Sequence, residues 1–175
     1  MLLKDLEQRR VAIWGLGSEG RAIREYLEKH RIPQEIIIYN DGDGAEAFNR
    51  MLNDAEVIIR SPGVSIYKDE FRQIKEQGIP VTSGSDLFLN EILENHPQTR
   101  VIGISGSKGK STSVSMLFHM MRRLGCNVAL GGNIGKPLVE LLDSDYDFII
   151  AEFSSYQASD LTASPQIVLF TNLFS

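Results

Sequence analysis

The chain has 175 residues, an apolar share of 42% and a formal net charge of −5, so it has no overall basic field, and nucleic acid is not an expected partner. The opening "MLLKDLEQRR" lacks the apolar run of a secretory signal, and nothing approaches the ~18 to 20 apolar residues of a bilayer span; the chain reads as cytoplasmic, with no membrane insertion. Cys126 is the single cysteine, which excludes an internal disulfide and a multi-cysteine zinc site and reads as a small buried hydrophobe.

In chain order, "VAIW" at 11–14 is a strand that runs into glycines, and Ala22, Ile23, Tyr26 and Leu27 then share one helical face. "IIIY" at 36–39, "VIIR" at 57–60 and "IPVT" at 79–82 are further strands, with helices over 45–53 and 67–77 between them. Continuous apolar strands separated by helices predict a parallel sheet covered on both faces. "LFLNEIL" after Asp86 is one more helix, and the polar "ENHPQTR" at 94–100 marks a domain boundary. The pattern then restarts with strand "VIGIS", a helix over 111–124, strand "NVAL", loop "GGNIG", a helix opened by Pro137, and strands "DFIIAEF" and "QIVLF". On the 111–124 helix, Val114, Leu117, Phe118, Met121 and Leu124 form the buried face, Met116 and Met120 belong to the core or its edge, and His119 lies at the surface. The expected fold is α/β: a Rossmann-like parallel-sheet domain over 1–95, then part of a P-loop-type α/β ATPase domain over 96–175.

Gly106, Ser107, Lys108, Gly109, Lys110, Ser111 and Thr112 lie between a strand and a helix, the context of a phosphate loop. Backbone N–H groups and the positive helix end would face the anion, Lys110 would add a point charge, and Ser111 could offer its hydroxyl to Mg²⁺. The usual spacing would place glycine at 104, where this chain has Ile104. The competing interpretation is a plain helix entry capped by Ser111. Two lysines at a helix N-terminus oppose the macrodipole and speak for an awaited anion.

Glu152 ends an apolar strand, where an NTPase holds its magnesium. The first loop, Gly15 to Gly20, matches G-x-G-x-x-G, with Asp41 about twenty residues further on, as in dinucleotide-binding folds. A nicotinamide-dependent oxidoreductase therefore stays open, as does an ATP-sensing interaction module. "RSPGV" at 60–64 is a second tight turn.

Together, "SGSKGKST", "GGNIG" at 131–135, "AEFSSYQ" at 151–157 and the N-terminal glycine loop with "SPG" resemble the Mur ligases, the ATP-dependent amide-forming enzymes of bacterial cell-wall synthesis, and most of all their D-glutamate-adding branch. The resemblance implies ATP and Mg²⁺ as cofactors and UDP-N-acetylmuramoyl-L-alanine and D-glutamate as substrates, joined through an acyl phosphate. By the same resemblance Gly106 to Thr112 hold ATP phosphates, with Lys110 on the β/γ-phosphates. Ser111 and Glu152 serve the metal, so Lys110 and Glu152 are the catalytic candidates. Asn133 contacts phosphate or the substrate diphosphate, and Ser18, Glu19, Asn40, Asp41, Ser61, Pro62 and Gly63 lie where the uridine diphosphate group is held. Lys108 stands where many members have asparagine, and Asn40 where aspartate is often found. A full member would be ~2.5 times longer, so the chain is expected to be a first domain plus part of the ATPase domain, inactive alone.

Overall fold

The computed structural model describes residues 1–173; Phe174 and Ser175, the end of the "TNLFS" segment, lie outside the described residues. Two compact units divide the chain, Met1–Leu87 and Phe88–Ser175.

In the first unit, β-branched runs form β1 (Arg10–Trp14), β2 (Glu35–Tyr39), β3 (Val57–Arg60) and the short β4 (Val81–Thr82), separated by α1 (Ser18–His30), α2 (Gly44–Asp54) and α3 (Asp69–Glu76). The strands are parallel in the order β2-β1-β3-β4. From β1 the chain crosses to one side, and from β2 it returns to the other, so the carboxyl ends of β1 and β3 flank a topological switch point. Register fixes that crevice: Trp14 pairs with both Tyr39 and Arg60, so Gly15, Asn40 and Ser61 emerge side by side. One face of the sheet packs Ala12, Trp14, Tyr39 and Ile58 against Phe48, Met51 and Leu52 of α2 and Phe71 and Ile74 of α3. Burying each of the Ile, Leu, Met and Phe side chains among them contributes roughly 1.5–3 kcal/mol.

α4 (Gly84–Asn95) runs through the division between the units. The second unit holds β5 (Arg100–Ser105), α5 (Lys110–Arg123), β6 (Val128–Gly132), β7 (Phe148–Glu152), α6 (Ser155–Asp160) and β8 (Ile167–Phe170). Its parallel sheet has the order β6-β7-β5-β8. Ile102, Ile104, Val128 and Ile150 meet Val114, Leu117, Phe118 and Met121 of α5, with Cys126 partly buried beside them.

Several local expectations change. The strand over 79–82 shrinks to two residues; Pro80 has no N–H to donate and contributes only its carbonyl, to Ile58 N at 2.9 Å. α3 starts at Asp69 because Lys68 stays extended, with φ −72° and ψ 149°. After Pro137 the chain forms a 3₁₀ helix over Leu138–Asp143. Its buried Leu138, Val139, Leu141 and Leu142 repeat every three residues, the period of that helix.

Met116 and Met120 are 59% and 55% exposed, since at 100° per residue they lie opposite the Val114 face. Leu124 is 79% exposed beyond the helix end. β8 is an edge strand paired with β5, and its four residues are all exposed. No helix among the described residues is long and apolar enough to cross a membrane.

Candidate functional site

β5 delivers the chain to the 106–109 loop, and Ser105 anchors the exit by donating its hydroxyl to Phe153 O at 3.0 Å. Gly109 is the residue flanking α5, at φ 81° and with no side-chain cap, so Ser111 is the second residue of the helix and not its cap. The plain capped-entry interpretation therefore fails. The N–H groups of Lys110, Ser111 and Thr112 begin the helix, where amides have no intrahelical acceptor. The Lys110 ammonium folds back across the loop and donates to Gly106 O at 2.7 Å. That arrangement puts a cation and a set of helix-start amides at one place, which is what an anion needs.

On the neighbouring strand β7, Glu152 pairs in register with Ile104 of β5 and Gly132 of β6. It is 3% exposed, and its Oε2 is buried with no hydrogen-bond partner among the described residues. A carboxylate oxygen held out of water without a donor is expensive unless a cation completes it. Glu152 O accepts the Asn133 N–H at 3.1 Å, which ties the "GGNIG" segment, whose two leading glycines end β6, to the same sheet edge. Among the described residues no three His, Cys, Asp or Glu side chains cluster as metal ligands. Magnesium commonly takes one or two protein ligands and completes its shell with water and phosphate. Ser154 caps α6 through Gln157 N at 3.2 Å, and Gln157 returns its side-chain oxygen to Ser154 N at 2.9 Å, so those two residues of "AEFSSYQ" are occupied structurally.

In the first unit a cleft of about 360 Å³ is lined by Gly15, Gly17, Ser18, Glu19, Ser61, Pro62, Gly63 and Val64. Its two walls touch: Ser61 donates its hydroxyl to Gly15 O at 2.5 Å. A Cβ at Gly20 would collide with Gly15 O and lie 2.6 Å from Ser61 Oγ, so this close approach requires glycine. The buried Arg60 guanidinium shapes the second wall, donating to Ser61 O at 3.3 Å and to Val64 O.

Asn40 and Asp41 are not among the residues that line this cleft. Asn40 Oδ1 accepts Leu16 N at 3.0 Å. Asp41 accepts the Trp14 indole N–H at 2.9 Å and pairs with Lys68. Burial pushes the Asp41 carboxyl up, but the bonds from Lys68 and Trp14 and the Lys68 charge prevail and hold it below the usual range. Burial, followed by the charges of Glu70 and Asp41, raises the neighbouring Tyr39 phenol. Glu19 is also engaged, accepting Ser85 N at 2.8 Å and Ser85 Oγ at 3.1 Å at the start of α4.

Ser18, Glu19, Ser61, Pro62 and Gly63 are thus brought together at one cleft, and residues 106–109 form a loop that leads into 110–112, the first turn of α5. Sequence reading missed Lys68, Arg60, Thr171 and Asn172. Asn172 Oδ1 accepts the N–H groups of Ser107 and Lys108 at 3.0 and 2.9 Å. The one available signal was that Thr171 and Asn172 follow a strand, a position from which a parallel sheet delivers ligand contacts.

No family model matches the chain. Individual relatives do. It is 37% identical over 193 aligned positions to the UDP-N-acetylmuramoyl-L-alanine–L-glutamate ligase of Micromonospora sp., covering 99% of this chain and 41% of that protein. The protein of the same name from Salinispora tropica is 35% identical, with the same coverage. The UDP-N-acetylmuramoylalanine–D-glutamate ligase of Fusobacterium nucleatum is 32% identical, covering 94% of this chain and 39% of that protein. The chain spans about two-fifths of the length of the curated relatives it matches. Among solved structures, the UDP-N-acetylmuramate:L-alanyl-gamma-D-glutamyl-meso-diaminopimelate ligase from Neisseria meningitides shares its fold, with TM-score 0.55 at 16% identity over 95% of this chain and 61% of that one. With two parallel α/β units in sequence and near-complete alignment to glutamate-adding ligases, this chain belongs to the Mur ligase family.

Proposed function

We propose that the protein carrying this chain joins glutamate to UDP-N-acetylmuramoyl-L-alanine at the expense of ATP, in cytoplasmic synthesis of peptidoglycan precursors. The observation that carries this reading is the pairing of a lysine-bearing phosphate loop with a buried, unpartnered carboxylate oxygen on the adjacent strand. Residues 1–95 would hold the UDP-linked substrate, and residues 96–175 would form the N-terminal part of the ATP-binding domain.

In that role the helix-start amides of α5 and the Lys110 ammonium receive the terminal phosphates of ATP. They offset the repulsion between those phosphates and the attacking substrate carboxylate and fix an in-line approach. Glu152 and the Ser111 hydroxyl would hold Mg²⁺, which supplies neutralisation of phosphate charge when bound. At the first cleft Ser18, Glu19 and the turn Ser61–Pro62–Gly63 would contact the diphosphate and sugar, with Asn40 and Asp41 supporting the loop that shapes it. Asn133 would reach phosphate from the neighbouring loop. The G-x-G-x-x-G match finds no support among the relatives for an oxidoreductase.

The glutamate-serine segment favours D-glutamate, whereas the relatives at 35–37% identity are named for the L-isomer. The test is phosphate release by the gene product carrying this chain, given ATP, Mg²⁺ and UDP-N-acetylmuramoyl-L-alanine. D-glutamate, L-glutamate, L-lysine and L-alanine are offered in turn. Release with one glutamate isomer alone supports the proposal and names the isomer. Release with lysine or alanine only, or with none, overturns it.

A further inference from the structure

We infer that Thr171 and Asn172 are positioning residues for the phosphate loop, holding the Lys108 peptide from both sides so that the helix-start amides stay aimed at one anion. The inference rests on the ATP reading of that loop. Parallel pairing of Ser105 with Phe170, continued by the Thr171 N–H to Ser105 O bond at 3.0 Å, brings the end of β8 against the loop. Thr171 then donates its hydroxyl to Lys108 O at 2.6 Å. Asn172 Oδ1 takes the two successive N–H groups of Ser107 and Lys108, and Asn172 O accepts Ser107 N again at 3.3 Å. Residue 108 is therefore fixed at its N–H and its carbonyl by the two consecutive residues that follow β8.

Two adjacent amides converging on one oxygen form a small concavity with a partial negative charge already in it. Those amides are satisfied from the β8 side. The N–H groups of Lys110, Ser111 and Thr112, on the other side of Gly109, are given no acceptor by the described residues. The loop thus has a braced half and an open half. Gly106 lets the brace come this close, since a Cβ there would collide with Thr171 Oγ1 and lie 2.9 Å from Asn172 O. Without the brace, Gly106 and Gly109, both at positive φ, leave the loop free to sample other turns, and ordering it would then oppose nucleotide binding.

The test compares the parent chain with Asn172→Ala and Thr171→Val. Calorimetric titration uses Mg-AMPPNP and, separately, UDP; amide hydrogen exchange is read residue by residue. Asn172→Ala is expected to bind AMPPNP about tenfold more weakly, with UDP affinity unchanged and faster exchange confined to Ser107 and Lys108. Asn172→Asp, which retains an acceptor oxygen, is expected to restore the exchange protection. Thr171→Val is nearly isosteric and is expected to weaken AMPPNP about threefold, which carries the test if the alanine variant does not fold. Equal AMPPNP affinity in parent and variants, or parallel loss of AMPPNP and UDP affinity, overturns the inference alone. A parent that binds UDP but no AMPPNP overturns the ATP reading and this inference together.

Discussion

Trp14 donates its indole N–H to Asp41 Oδ1 at 2.9 Å, joining the end of β1 to the loop after β2. The carboxylate is shared with Lys68, and its proton affinity is depressed below the ordinary range. A depressed carboxyl contributes stability that is present above its unfolded-state value and fades as pH falls through the folded one. Asp41 is about half exposed, so the stability change itself is small. The indole proton is the better reporter. Its NMR shift is expected to stay constant through the normal aspartate titration range and to move only below it; movement at or above that range would contradict the network.

Gly20→Ala is expected to lose about 1–3 kcal/mol of stability in the first unit, because the added methyl meets the Gly15 carbonyl oxygen and Ser61 Oγ. UDP affinity should fall with it, as the two walls of the cleft part. Urea unfolding and UDP titration check both effects.

Glu152→Gln separates stability from function. Removing a buried carboxylate with an unpartnered oxygen should leave thermal stability unchanged, or raise it by up to about 1–2 kcal/mol, in magnesium-free buffer. Nucleotide binding should at the same time lose its magnesium dependence. A destabilised variant that still responds to magnesium would contradict the assignment.

Lys110→Met removes the ammonium that bridges to Gly106 O and that would face phosphate. AMPPNP affinity is expected to drop by at least about tenfold, the scale of a charge-assisted hydrogen bond, and the residual binding should depend less on salt. Lys110→Arg should recover little, since a planar guanidinium does not replace a compact ammonium in a tight loop.

Apolar runs and glycine punctuation carried the architecture. "VAIW", "IIIY" and "VIIR" became β1, β2 and β3, and "GSKGKST" became a loop and the first turn of α5. What stayed hidden depended on pairing between distant residues. The sequence around Asn172 gives no reason to place it beside Ser107, because only the order β7-β5-β8 makes them neighbours. Glu19 reads as a loop acid, yet it accepts Ser85 N and thereby acts on α4, 66 residues away. Apolar content misled at Met116 and Met120, where position on the helix decided exposure. The helix expected after Pro137 is present, and the period of three in Leu138, Val139, Leu141 and Leu142 matches its 3₁₀ form.

The chain has a single tryptophan, Trp14, fully buried in the first unit with its indole N–H bonded to a carboxylate. Selectively excited emission therefore originates from one half of the molecule only, and the half bearing the lysine loop is dark. Following that emission alongside circular dichroism would resolve whether the two halves melt together or in separate steps, with no label attached.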